Sequence, residues 1–418
     1  MSGMRGISDK YDVVIVGAGQ AGLQTAMSLV DVKFSGSILL IGDEAYLPYQ
    51  RPPLSKLYLS GTLQDRDVEL QNADYYSRNG IDVMTESVAL TIDRQSKRVA
   101  LSDGRFMHYG FLVLATGARA KTLPHLQDGL KNVFYIRTLM DARRLREMME
   151  RVQSLCVIGG GFLGLEAAAI ASSQGKIVDL IEGSERILSR SASAPISVAF
   201  EREHRRRGVN IITDTKLQQA EISAGSVRYL TLDNGRKFSC DAVLVSAGVE
   251  PNADLAKSAG LDVVDGIRVD NALRTSDPAI FAIGDCASYP HAASGGEFVR
   301  VESVQNALDQ ARCVAKTITG NSAHYDQTPI FWTDQYGMRL QVAGLPRGAD
   351  ECVMRGDSAE EKFSVYRFKG DQLMCVESLN AQAEHMLARK LFANRILPTK
   401  SQVADQKFDL KSLLLKAA

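Results

Sequence analysis

With 418 residues, the chain is too long for one ordinary hydrophobic core, and a prior of roughly 100–200 residues per domain predicts about three domains. Lys and Arg together number 49, as do Asp and Glu, so the molecule lacks the overall positive field that draws proteins to nucleic acid or anionic lipid. The N-terminal stretch MSGMRGISDKYD contains no signal-peptide run, and no later stretch has the ~20 apolar residues of a membrane helix. We therefore expect a cytoplasmic protein that binds neither nucleic acid nor membrane.

The first predicted unit begins with a buried parallel strand at residues 12–16 (DVVIV), an apolar and mostly β-branched run. The strand leads directly into the motif GAGQAG at residues 17–22, after which we predict a helix that ends near residue 30. A second apolar run, ILLI at residues 38–41, is followed by Gly42, Asp43 and Glu44. Strand, glycine turn, helix, strand and acid together form the sequence pattern of a nucleotide-binding βαβ unit.

The same order of elements returns further along the chain. Residues 155–158 (LCVI) lead into GGGFLG at residues 159–164, a helix predicted to end near residue 173, a strand at residues 178–181 and then Glu182. The interval between the two motifs is far longer than the roughly 20–50-residue period of solenoid repeats. We therefore predict two similar domains.

Three further apolar runs end in small-residue turns. FLVL at residues 111–114 precedes the turn ATG, and AVLV at residues 242–245 precedes SAG. Each of these strands is predicted to complete the sheet of the unit before it. IFAI at residues 280–283 precedes Gly284 and Asp285 and lies too far along for the second unit, so we assign it to the first domain, resumed after an insertion.

From about residue 329 the pattern changes to short segments with period-two alternation, which is typical of an antiparallel, half-exposed sheet, and residues 383–392 are predicted to be helical. The predicted fold class is α/β, with two Rossmann-type dinucleotide-binding domains and a C-terminal α+β domain. The predicted boundaries are residues 1–120 for the first part of the first domain, 121–249 for the second domain, 250–328 for the rest of the first domain and 329–418 for the C-terminal domain.

The glycines of the two motifs have distinct predicted roles. A helix N-terminus offers unpaired N–H groups and a partial positive charge to a pyrophosphate, and glycine lets the backbone come close to it. We predict tight turns at Gly17 and Gly159, room for the pyrophosphate at Gly19 and Gly161, and close packing of helix on strand at Gly22 and Gly164. Since both motifs have the strand before and the helix and acid after, we predict two dinucleotide sites.

The acids after the second strands indicate which nucleotide binds. Glu182 can accept hydrogen bonds from both ribose hydroxyls, whereas it would repel the 2′-phosphate of NADP, so NADH is favoured over NADPH. Arg186 and Arg190 follow closely and keep NADPH as the alternative. In the first unit the acid is displaced to Asp43 or Glu44, and we choose Asp43 for the ribose contact, with Glu44 as a solvent-exposed side chain.

The six cysteines are scattered and form no C-x-x-C motif, so neither a zinc site nor a redox dithiol is predicted, and we expect reduced thiols. No metal-spaced histidines or nucleophile triad occur either. The segment PYQRPPLSK, which follows the first glycine motif at residues 48–56, contains no cysteine either.

Several longer motifs carry a family resemblance that covers nearly the whole chain. They are YQRPPLSK at residues 49–56, GGGFLG with Glu166, IGDC at residues 283–286, ESVQNA at residues 302–307 and FWTDQ at residues 331–335. In this order they resemble the NADH:ferredoxin reductases that serve bacterial oxygenases. The resemblance implies an FAD domain interrupted by an NAD domain, and electron flow from NADH through FAD to a small 2Fe–2S ferredoxin that feeds a cytochrome P450 or a ring-hydroxylating dioxygenase.

The resemblance also implies residues that contact FAD, namely Ala21, Asp43, Lys56, Ala89, Arg137, Asp285 and Val304. We assign to cofactor binding, in addition, Arg51, Thr116, Gly117, Leu163 and Gly248. Trp332, the single tryptophan, is placed as in the family where an aromatic ring can stack near the flavin, with core packing as the alternative. Asp285 also makes independent sense, because a carboxylate at a strand end can bond a ribityl hydroxyl.

Lys56 and Glu166 are the predicted catalytic residues. Lys56 follows the rigid Pro52-Pro53 turn, while Glu166 lies in the first turns of the second glycine helix. We predict an ion pair beside flavin N5, in which the cation favours the reduced flavin and the carboxylate holds the lysine in place. The alternative is a solvated lysine and an ordinary helix acid.

Because a ferredoxin is usually acidic, we expect a local basic patch, with Arg312 as the candidate partner-binding residue and an ordinary exposed helix cation as the alternative. We expect a monomer or a weak dimer. One competing function is reduction of rubredoxin. Another is an apoptosis-inducing-factor-like scaffold, which shares two of the motifs and which the neutral net charge disfavours.

Overall fold

The computed structural model describes residues 8–126, 129–321 and 323–415. The prediction that the N-terminal stretch is not a signal peptide therefore falls mostly on residues outside the described ranges. The described chain divides into two compact units. The first contains residues 8–50, 69–119 and 250–329, and the second contains residues 51–68, 120–249 and 330–415. Residues 51–68, which the sequence analysis assigns to the first domain, thus make their contacts within the second unit. The predicted domain boundaries remain predictions.

The elements are numbered in chain order along the whole molecule. Those of the first unit are β1 (Lys10–Val16), α1 (Gln20–Asp31), β2 (Ile38–Ile41), α2 (Ala73–Arg78), β3 (Ile81–Met84), β4 (Ala89–Asp93), β5 (Arg98–Leu101), β6 (Phe106–Leu114), α6 (Asp254–Ser258), β17 (Val263–Val264), β18 (Gly266–Arg268), β19 (Ile280–Ala282), β20 (Ala287–Pro290), β21 (Phe298–Val299) and α7 (Val304–Ile318). Two short strands, β7 (Ala118–Ala120) and β16 (Val249–Pro251), lie where the chain passes from one unit to the other.

The elements of the second unit are β8 (Val133–Tyr135), α3 (Leu139–Met149), β9 (Ser154–Ile158), α4 (Phe162–Ser173), β10 (Ile177–Ile181), α5 (Ala194–Arg206), β11 (Val209–Ile212), β12 (Leu217–Ser223), β13 (Ser226–Leu232), β14 (Lys237–Phe238), β15 (Ala242–Val245), β22 (Ile330–Gln335), β23 (Met338–Gly344), β24 (Glu351–Asp357), β25 (Lys362–Lys369), β26 (Gln372–Leu379), α8 (Gln382–Ala393), α9 (Lys400–Ala404) and α10 (Ser412–Leu415). Short 3₁₀ helices span Pro52–Ser55, Asp65–Asp67, Gly284–Cys286 and Ala292–Ser294.

The first unit is built on a parallel sheet in which β1 lies between β2 and β6. The apolar run of β1 has no polar face because the strand is buried on both sides of the sheet, as parallel sheets require. Strand β19 pairs in parallel with β6, with Ile280 opposite Leu112. This pairing confirms that the chain returns to the first sheet after a long insertion.

The second unit contains a parallel sheet of the order β11-β10-β9-β15-β8, in which α4 connects β9 to β10. The sheet has the same βαβ start as the first, since a glycine motif follows the central strand in both. The antiparallel ribbon β12-β13-β14 packs on it and shares a core that includes Cys156, Leu230 and Val243. The predicted α/β class with two Rossmann-type sheets is confirmed.

The C-terminal sheet, β22-β23-β26-β25-β24, is antiparallel, as predicted, and α8 packs against it over a core that includes Tyr366, Val376 and Leu391. The expectation of a half-exposed sheet is wrong for β25 and β26, whose inner residues are almost all buried. Period-two alternation fails there because α8 covers one face and the remainder of the second unit covers the other.

Glu377 of β26 connects the C-terminal sheet to the segment before α5. Its carboxylate is fully buried and accepts the Ser193 backbone N–H with both oxygens, at 2.9 and 3.1 Å. Ser193 is the residue before α5, so Glu377 satisfies an orphan donor at that helix N-terminus. The guanidinium of Arg367 donates to the same carboxylate at 3.0 Å. Glu377 therefore ties the C-terminal sheet to the nucleotide-binding sheet of the second unit.

Replacing Glu377 by glutamine is expected to lower the free energy of unfolding by about 2–3 kcal/mol, because it removes the charge of a buried carboxylate that is paired with the half-buried Arg367 guanidinium. Chemical denaturation followed by circular dichroism measures this loss. The control is Glu351→Gln, which removes an exposed carboxylate paired with Lys400 at 2.9 Å and is expected to cost less than about 1 kcal/mol. Equal losses of unfolding free energy in the two variants would contradict the proposed role of Glu377 in connecting the C-terminal sheet to α5.

Candidate functional site

The first glycine turn follows β1 and leaves no room for a Cβ at two positions. Gly17 has φ of +112°, and a Cβ built there would lie 2.1 Å from the Ala115 carbonyl oxygen. A Cβ on Gly22 would lie 1.9 Å from the Gly17 carbonyl oxygen. Gly17 must therefore be glycine because the chain after β6 passes close to it, and Gly22 must be glycine because α1 packs closely on the turn that precedes it.

Gly19 differs from its two neighbours in the motif. No described protein atom lies within 4 Å of a Cβ built on it, so the fold alone does not demand glycine here. Gly19 is the N-cap of α1 and has no side chain to satisfy the first N–H groups of that helix. An open approach to unpaired helix N–H groups is what a pyrophosphate needs. The residues of this turn thus fit the predicted dinucleotide.

The second glycine turn repeats this arrangement. Gly159 has φ of +110° and its built Cβ would lie 2.2 Å from the Ser246 carbonyl oxygen, while that of Gly164 would lie 2.1 Å from the Gly159 carbonyl oxygen. Gly161, the N-cap of α4, has open space around its built Cβ within 4 Å. In both turns, therefore, the first and last glycines of the motif are required by the fold, whereas the middle glycine leaves space for a ligand.

Glu182 lies at the end of β10, beside the second turn. Its carboxylate accepts the backbone N–H of Gly160 at 2.7 Å with one oxygen and that of Ser184 at 2.8 Å with the other. These two bonds hold the half-buried side chain against the glycine turn. A ribose attached to a pyrophosphate at Gly161 would then meet a carboxylate that is already oriented.

The structure explains why the acid of the first unit is displaced. Gly17 and Gly159 donate their backbone N–H groups to Ile41 and Ile181, so Gly42 occupies the position that Glu182 holds in the second unit. A Cβ on Gly42 would lie 2.6 Å from the Cβ of Ala18, whereas the second motif has Gly160 in place of that alanine.

Asp43, one residue further on, is exposed, and its ribose contact remains a prediction. Glu44 is half-buried and accepts the Tyr49 hydroxyl at 2.6 Å, so the expectation of a solvent-exposed Glu44 is wrong. The tyrosine that bonds it belongs to the YQRPPLSK motif.

The other predicted FAD residues of the first unit lie on several of its elements. Ala21 is buried in α1. A Cβ built on Gly284 would lie 3.2 Å from the Cβ of Ala21, so Gly284, the residue before Asp285, lies beside the first helix. Thr116 and Gly117 follow β6, Val304 begins α7, and Ala89 begins β4. The segment before β4 is close to the end of β2, because the Ser87 N–H donates to the Gly42 carbonyl.

The second unit brings the two predicted catalytic residues together. Lys56 Nζ lies 2.8 Å from Glu166 Oε1, with 20% of the lysine side chain and 7% of the glutamate side chain exposed. Lys56 directly follows the 3₁₀ helix Pro52–Ser55, and Glu166 lies in the second turn of α4. The pair is thus a partly buried cation held by a nearly buried carboxylate at the start of the second glycine helix.

Two partners of Glu166 were not found by the sequence analysis. The Ser55 hydroxyl donates to Oε2 and the Thr333 hydroxyl donates to Oε1, both at 2.6 Å. Both residues lie inside motifs that the resemblance uses, RPPLSK and FWTDQ, but only the fold shows that they meet Glu166. The carboxylate therefore accepts three charge-assisted hydrogen bonds, two from hydroxyl groups and one from the Lys56 ammonium group, which fix its orientation.

The remaining predicted cofactor residues also lie in the second unit. The Arg51 guanidinium donates to the backbone carbonyl of Arg137, which brings these two residues together. Trp332 is half-buried on β22, next to Thr333. Leu163 is half-buried in the first turn of α4, and Gly248 follows β15 with φ of +93°. Their contacts with FAD or NADH remain predictions.

Arg312, the predicted partner-binding residue, is exposed on α7, and its guanidinium lies 2.8 Å from the Asp309 carboxylate one helical turn away. Its positive charge is therefore partly balanced within its own helix. Its role in partner binding remains a prediction.

All six cysteines have free thiols in the described parts of the chain, and Cys156 and Cys286 are buried. Burial raises the pKa of the Cys286 thiol, which keeps it protonated. Over the described ranges, no group of three or more His, Cys, Asp or Glu side chains is arranged to hold a metal ion. Nor does any helix within those ranges combine the length and apolarity that crossing a membrane requires.

Comparison with known proteins gives matches over nearly the whole chain. Residues 11–311 match the family pyridine nucleotide-disulphide oxidoreductase, and residues 330–414 match the family reductase C-terminal. Rhodocoxin reductase of Rhodococcus erythropolis is 44% identical over 96% of this chain and 93% of that protein.

Two crystal structures are also similar. The ferredoxin reductase for the CYP199A2 system from Rhodopseudomonas palustris has a TM-score of 0.93 and 41% identity over 97% of this chain and 99% of that one. The reductase in the covalent putidaredoxin reductase–putidaredoxin complex has a TM-score of 0.93 and 36% identity over the same shares.

Proposed function

We propose that this chain, which belongs to the pyridine nucleotide-disulphide oxidoreductase family, transfers electrons from NADH through FAD to a small 2Fe–2S ferredoxin. The ferredoxin in turn supplies a cytochrome P450 or a ring-hydroxylating dioxygenase. The observation that carries the proposal is the extent of the likeness, since both similar reductase structures match 97% of this chain, including the C-terminal sheet. Because NADH is a cytoplasmic reductant, we propose that the protein acts in the cytoplasm.

Family membership makes the chain an oxidoreductase with FAD and NAD(P)H as cofactors. The two glycine turns support this, since each presents an open helix N-terminus beside a strand end. We assign FAD to the first turn, with Gly17, Gly19 and Gly22, and the nicotinamide dinucleotide to the second. The motif resemblance to ferredoxin reductases of oxygenase systems is confirmed by the comparisons.

Two features of the second turn favour NADH over NADPH. The carboxylate of Glu182 is fixed where the adenosine ribose is expected. Arg186 donates to the Ala192 carbonyl at 2.9 Å and to the Ser197 hydroxyl at 2.5 Å, so its guanidinium is engaged in holding its own loop. Arg190 is exposed and keeps NADPH as the alternative. Because the fixed carboxylate of Glu182 would repel a 2′-phosphate, we favour NADH.

Replacing Glu182 by alanine is expected to raise the KM for NADH roughly 10-fold, because the ribose loses hydrogen bonds to a charged acceptor. The kcat at saturating NADH is expected to change little, since these bonds act equally in the ground state and the transition state. Steady-state kinetics with NADH and NADPH measure both effects. The control is Glu185→Ala, an exposed acid three residues away; a variant Glu182→Ala with unchanged preference for NADH would contradict the assignment.

We further propose that Lys56 and Glu166 act at the flavin. When bound, FAD accepts a hydride from NADH at N5 and passes the two electrons on singly. Lys56 would place a positive charge beside N5 as negative charge arrives there, and Glu166 would hold the ammonium group in position. The helix α4 that carries Glu166 also presents Gly161 to NADH, so one rigid element would position both the dinucleotide and the ion pair.

Two arguments support a ferredoxin as the electron acceptor, namely the lack of a reactive thiol near the proposed flavin site and the similarity to ferredoxin reductases. No cysteine lies between residues 1 and 155, and the two later cysteines of the first unit, Cys286 and Cys313, are buried thiols whose pKa is raised by burial. The proposed FAD-binding region therefore offers no reactive thiol to be reduced. Electrons are then expected to leave by outer-sphere transfer to a docked protein. Arg312 is our candidate contact for an acidic ferredoxin.

The experiment that tests this function mixes the purified flavoprotein, NADH and candidate acceptors, and follows cytochrome c reduction. A 2Fe–2S ferredoxin is expected to accelerate turnover strongly over the protein alone. Acceleration by rubredoxin instead of ferredoxin would replace the proposed acceptor. The reductase assignment fails if neither protein accelerates cytochrome c reduction.

A further inference from the structure

A line of buried polar side chains extends from Glu166 into the second unit. Thr333 and Gln335 lie two residues apart on β22, so their side chains share one face of the strand. Thr333 Oγ1 lies 2.6 Å from Glu166 Oε1, and Gln335 Nε2 lies 3.0 Å from Thr333 Oγ1. Gln335 Oε1 lies 2.8 Å from Nε2 of His204 on α5. All four residues are buried, with at most 6% of the surface of each residue exposed.

The ionised carboxylate determines the direction of every hydrogen bond in this line. A carboxylate can only accept, so the single proton of the Thr333 hydroxyl is donated to Glu166. The Thr333 oxygen then accepts from the amide of Gln335, which turns the Gln335 carbonyl toward His204. His204 must therefore carry its proton on Nε2.

We propose that Thr333, Gln335 and His204 form an aligned hydrogen-bond chain that holds the Glu166 carboxylate in place and thereby positions Lys56 for hydride transfer. Three successive donors point toward the same carboxylate, so their dipoles add and each bond polarises the next. The inference rests on the proposed function, because its catalytic consequence requires Lys56 to act at the flavin.

The chain is suited to positioning and not to proton transport. A relay from His204 to Thr333 would require the Gln335 amide to accept a proton on its oxygen while releasing one from its nitrogen. An amide does not readily do this, so Gln335 interrupts any such relay. Thr333, Gln335 and His204 are therefore positioning residues that act through Glu166.

The surroundings of His204 support a neutral ring. Burial lowers the pKa of His204, and the charged or titratable groups that face it are Glu203 of its own helix and Tyr336, whose ring is 4.9 Å away. The Arg207 guanidinium lies over the Tyr336 ring, 5.2 Å from the ring centroid. At the other end, Lys56 faces Glu166. A neutral imidazole with its proton on Nε2 is a donor toward Gln335 and needs no donor at Nδ1, which has no hydrogen-bond partner among the described residues.

The kinetic test uses the FAD-loaded protein and measures the limiting rate of flavin reduction by NADH in a rapid-mixing instrument. Thr333→Val, which keeps the shape and removes the donor, is expected to slow reduction roughly 10- to 100-fold, in the range for a hydrogen bond to a charged group. Thr333→Ser, which keeps the hydroxyl, is expected to restore most of the rate. Gln335→Met is expected to have a smaller effect, because Thr333 still donates to Glu166 but is no longer polarised.

The split between rate and binding separates positioning from a merely structural role. In Thr333→Val, the limiting rate of flavin reduction is expected to fall while the NADH concentration that gives half of that rate changes little. A Thr333→Val protein that is less stable but is reduced at the wild-type rate overturns the proposal.

A second readout does not depend on activity. Nitrogen-15 NMR of protein labelled in its six histidines, assigned with His204→Gln, is expected to show His204 with its proton on Nε2, and Gln335→Met is expected to shift that resonance. A proton on Nδ1 would overturn the direction of the chain. If the wild-type protein is not reduced by NADH, the proposed function fails while the NMR measurement still decides whether the aligned chain exists.

Discussion

Replacing Gly17 by alanine is expected to prevent the first unit from folding, whereas replacing Gly19 by alanine two residues later is expected to leave the fold intact and remove FAD. The Cβ of an alanine at position 17 would lie 2.1 Å from the Ala115 carbonyl oxygen, at a φ of +112°. Neither the clash nor the strain can be relieved without moving the end of β6. We expect a loss of at least about 4 kcal/mol, which single changes reach only through such mechanisms.

Gly19 provides the matched control within the same motif. Since no described protein atom lies within 4 Å of its built Cβ, Gly19→Ala is expected to cost less than about 1 kcal/mol in folding. The added methyl group would instead hold a pyrophosphate away from the α1 N-terminus, and the loss of two charge-assisted hydrogen bonds weakens FAD binding by roughly 100-fold or more.

Far-ultraviolet circular dichroism and the flavin absorbance of the purified variants distinguish the two effects. Gly17→Ala is expected to be insoluble or to lack native structure, and Gly19→Ala to be folded but colourless until FAD is added in excess. A Gly19→Ala protein that retains FAD through purification as the wild type does would contradict the assignment of FAD to this turn.

Replacing Lys56 by methionine is expected to slow flavin reduction by NADH roughly 100- to 1,000-fold, the range for removing one preorganised charge-stabilising group. Methionine has a similar length and preserves the packing of the lysine stem, but it removes the ammonium group that lies 2.8 Å from Glu166. Glu166 retains the Ser55 and Thr333 hydroxyls as donors, so the fold is expected to persist.

The rate is measured by anaerobic rapid mixing at saturating NADH, together with the midpoint potential of the flavin. Lys56→Arg is the matched variant, because it keeps the positive charge with a different geometry, and it is expected to recover part of the rate. The exposed Lys33 supplies a control, since Lys33→Met removes a charge remote from the cluster in sequence. An unchanged reduction rate and an unchanged potential in Lys56→Met would remove Lys56 from the mechanism.

Much of the fold could be predicted because its signals are local. The apolar runs at residues 38–41 and 242–245 coincide with β2 and β15, and the helices after both glycine motifs end at Asp31 and Ser173, within a residue of the expected ends. Each of these signals lies within one short stretch, since strand burial, helix periodicity and the need for a positive φ depend on neighbouring residues. The return of β19 to the first sheet was predictable because the second sheet already had its closing strand.

The site could be predicted only in part. The pairing of Lys56 with Glu166 was inferred through resemblance, and the structure places these two residues in contact. The hydroxyl donors to Glu166 are 111 and 167 residues away from it in the chain, and no local pattern connects residues at such separations. Glu377 likewise gave no signal, because an acid in an alternating segment is normally expected on an exposed strand face.

The two nucleotide turns were thus determined by the sequence itself, because glycine is the only residue that meets their backbone requirements and the flanking apolar runs specify buried strands. The tertiary structure alone decided that Gly42 and Ala18 displace the first acid, that Ser55 and Thr333 hold Glu166, and that a buried chain continues to His204. The physical reason is that hydrogen bonds and steric exclusion between distant segments depend on how whole sheets and helices pack, and that packing is not encoded in any single short stretch of the chain.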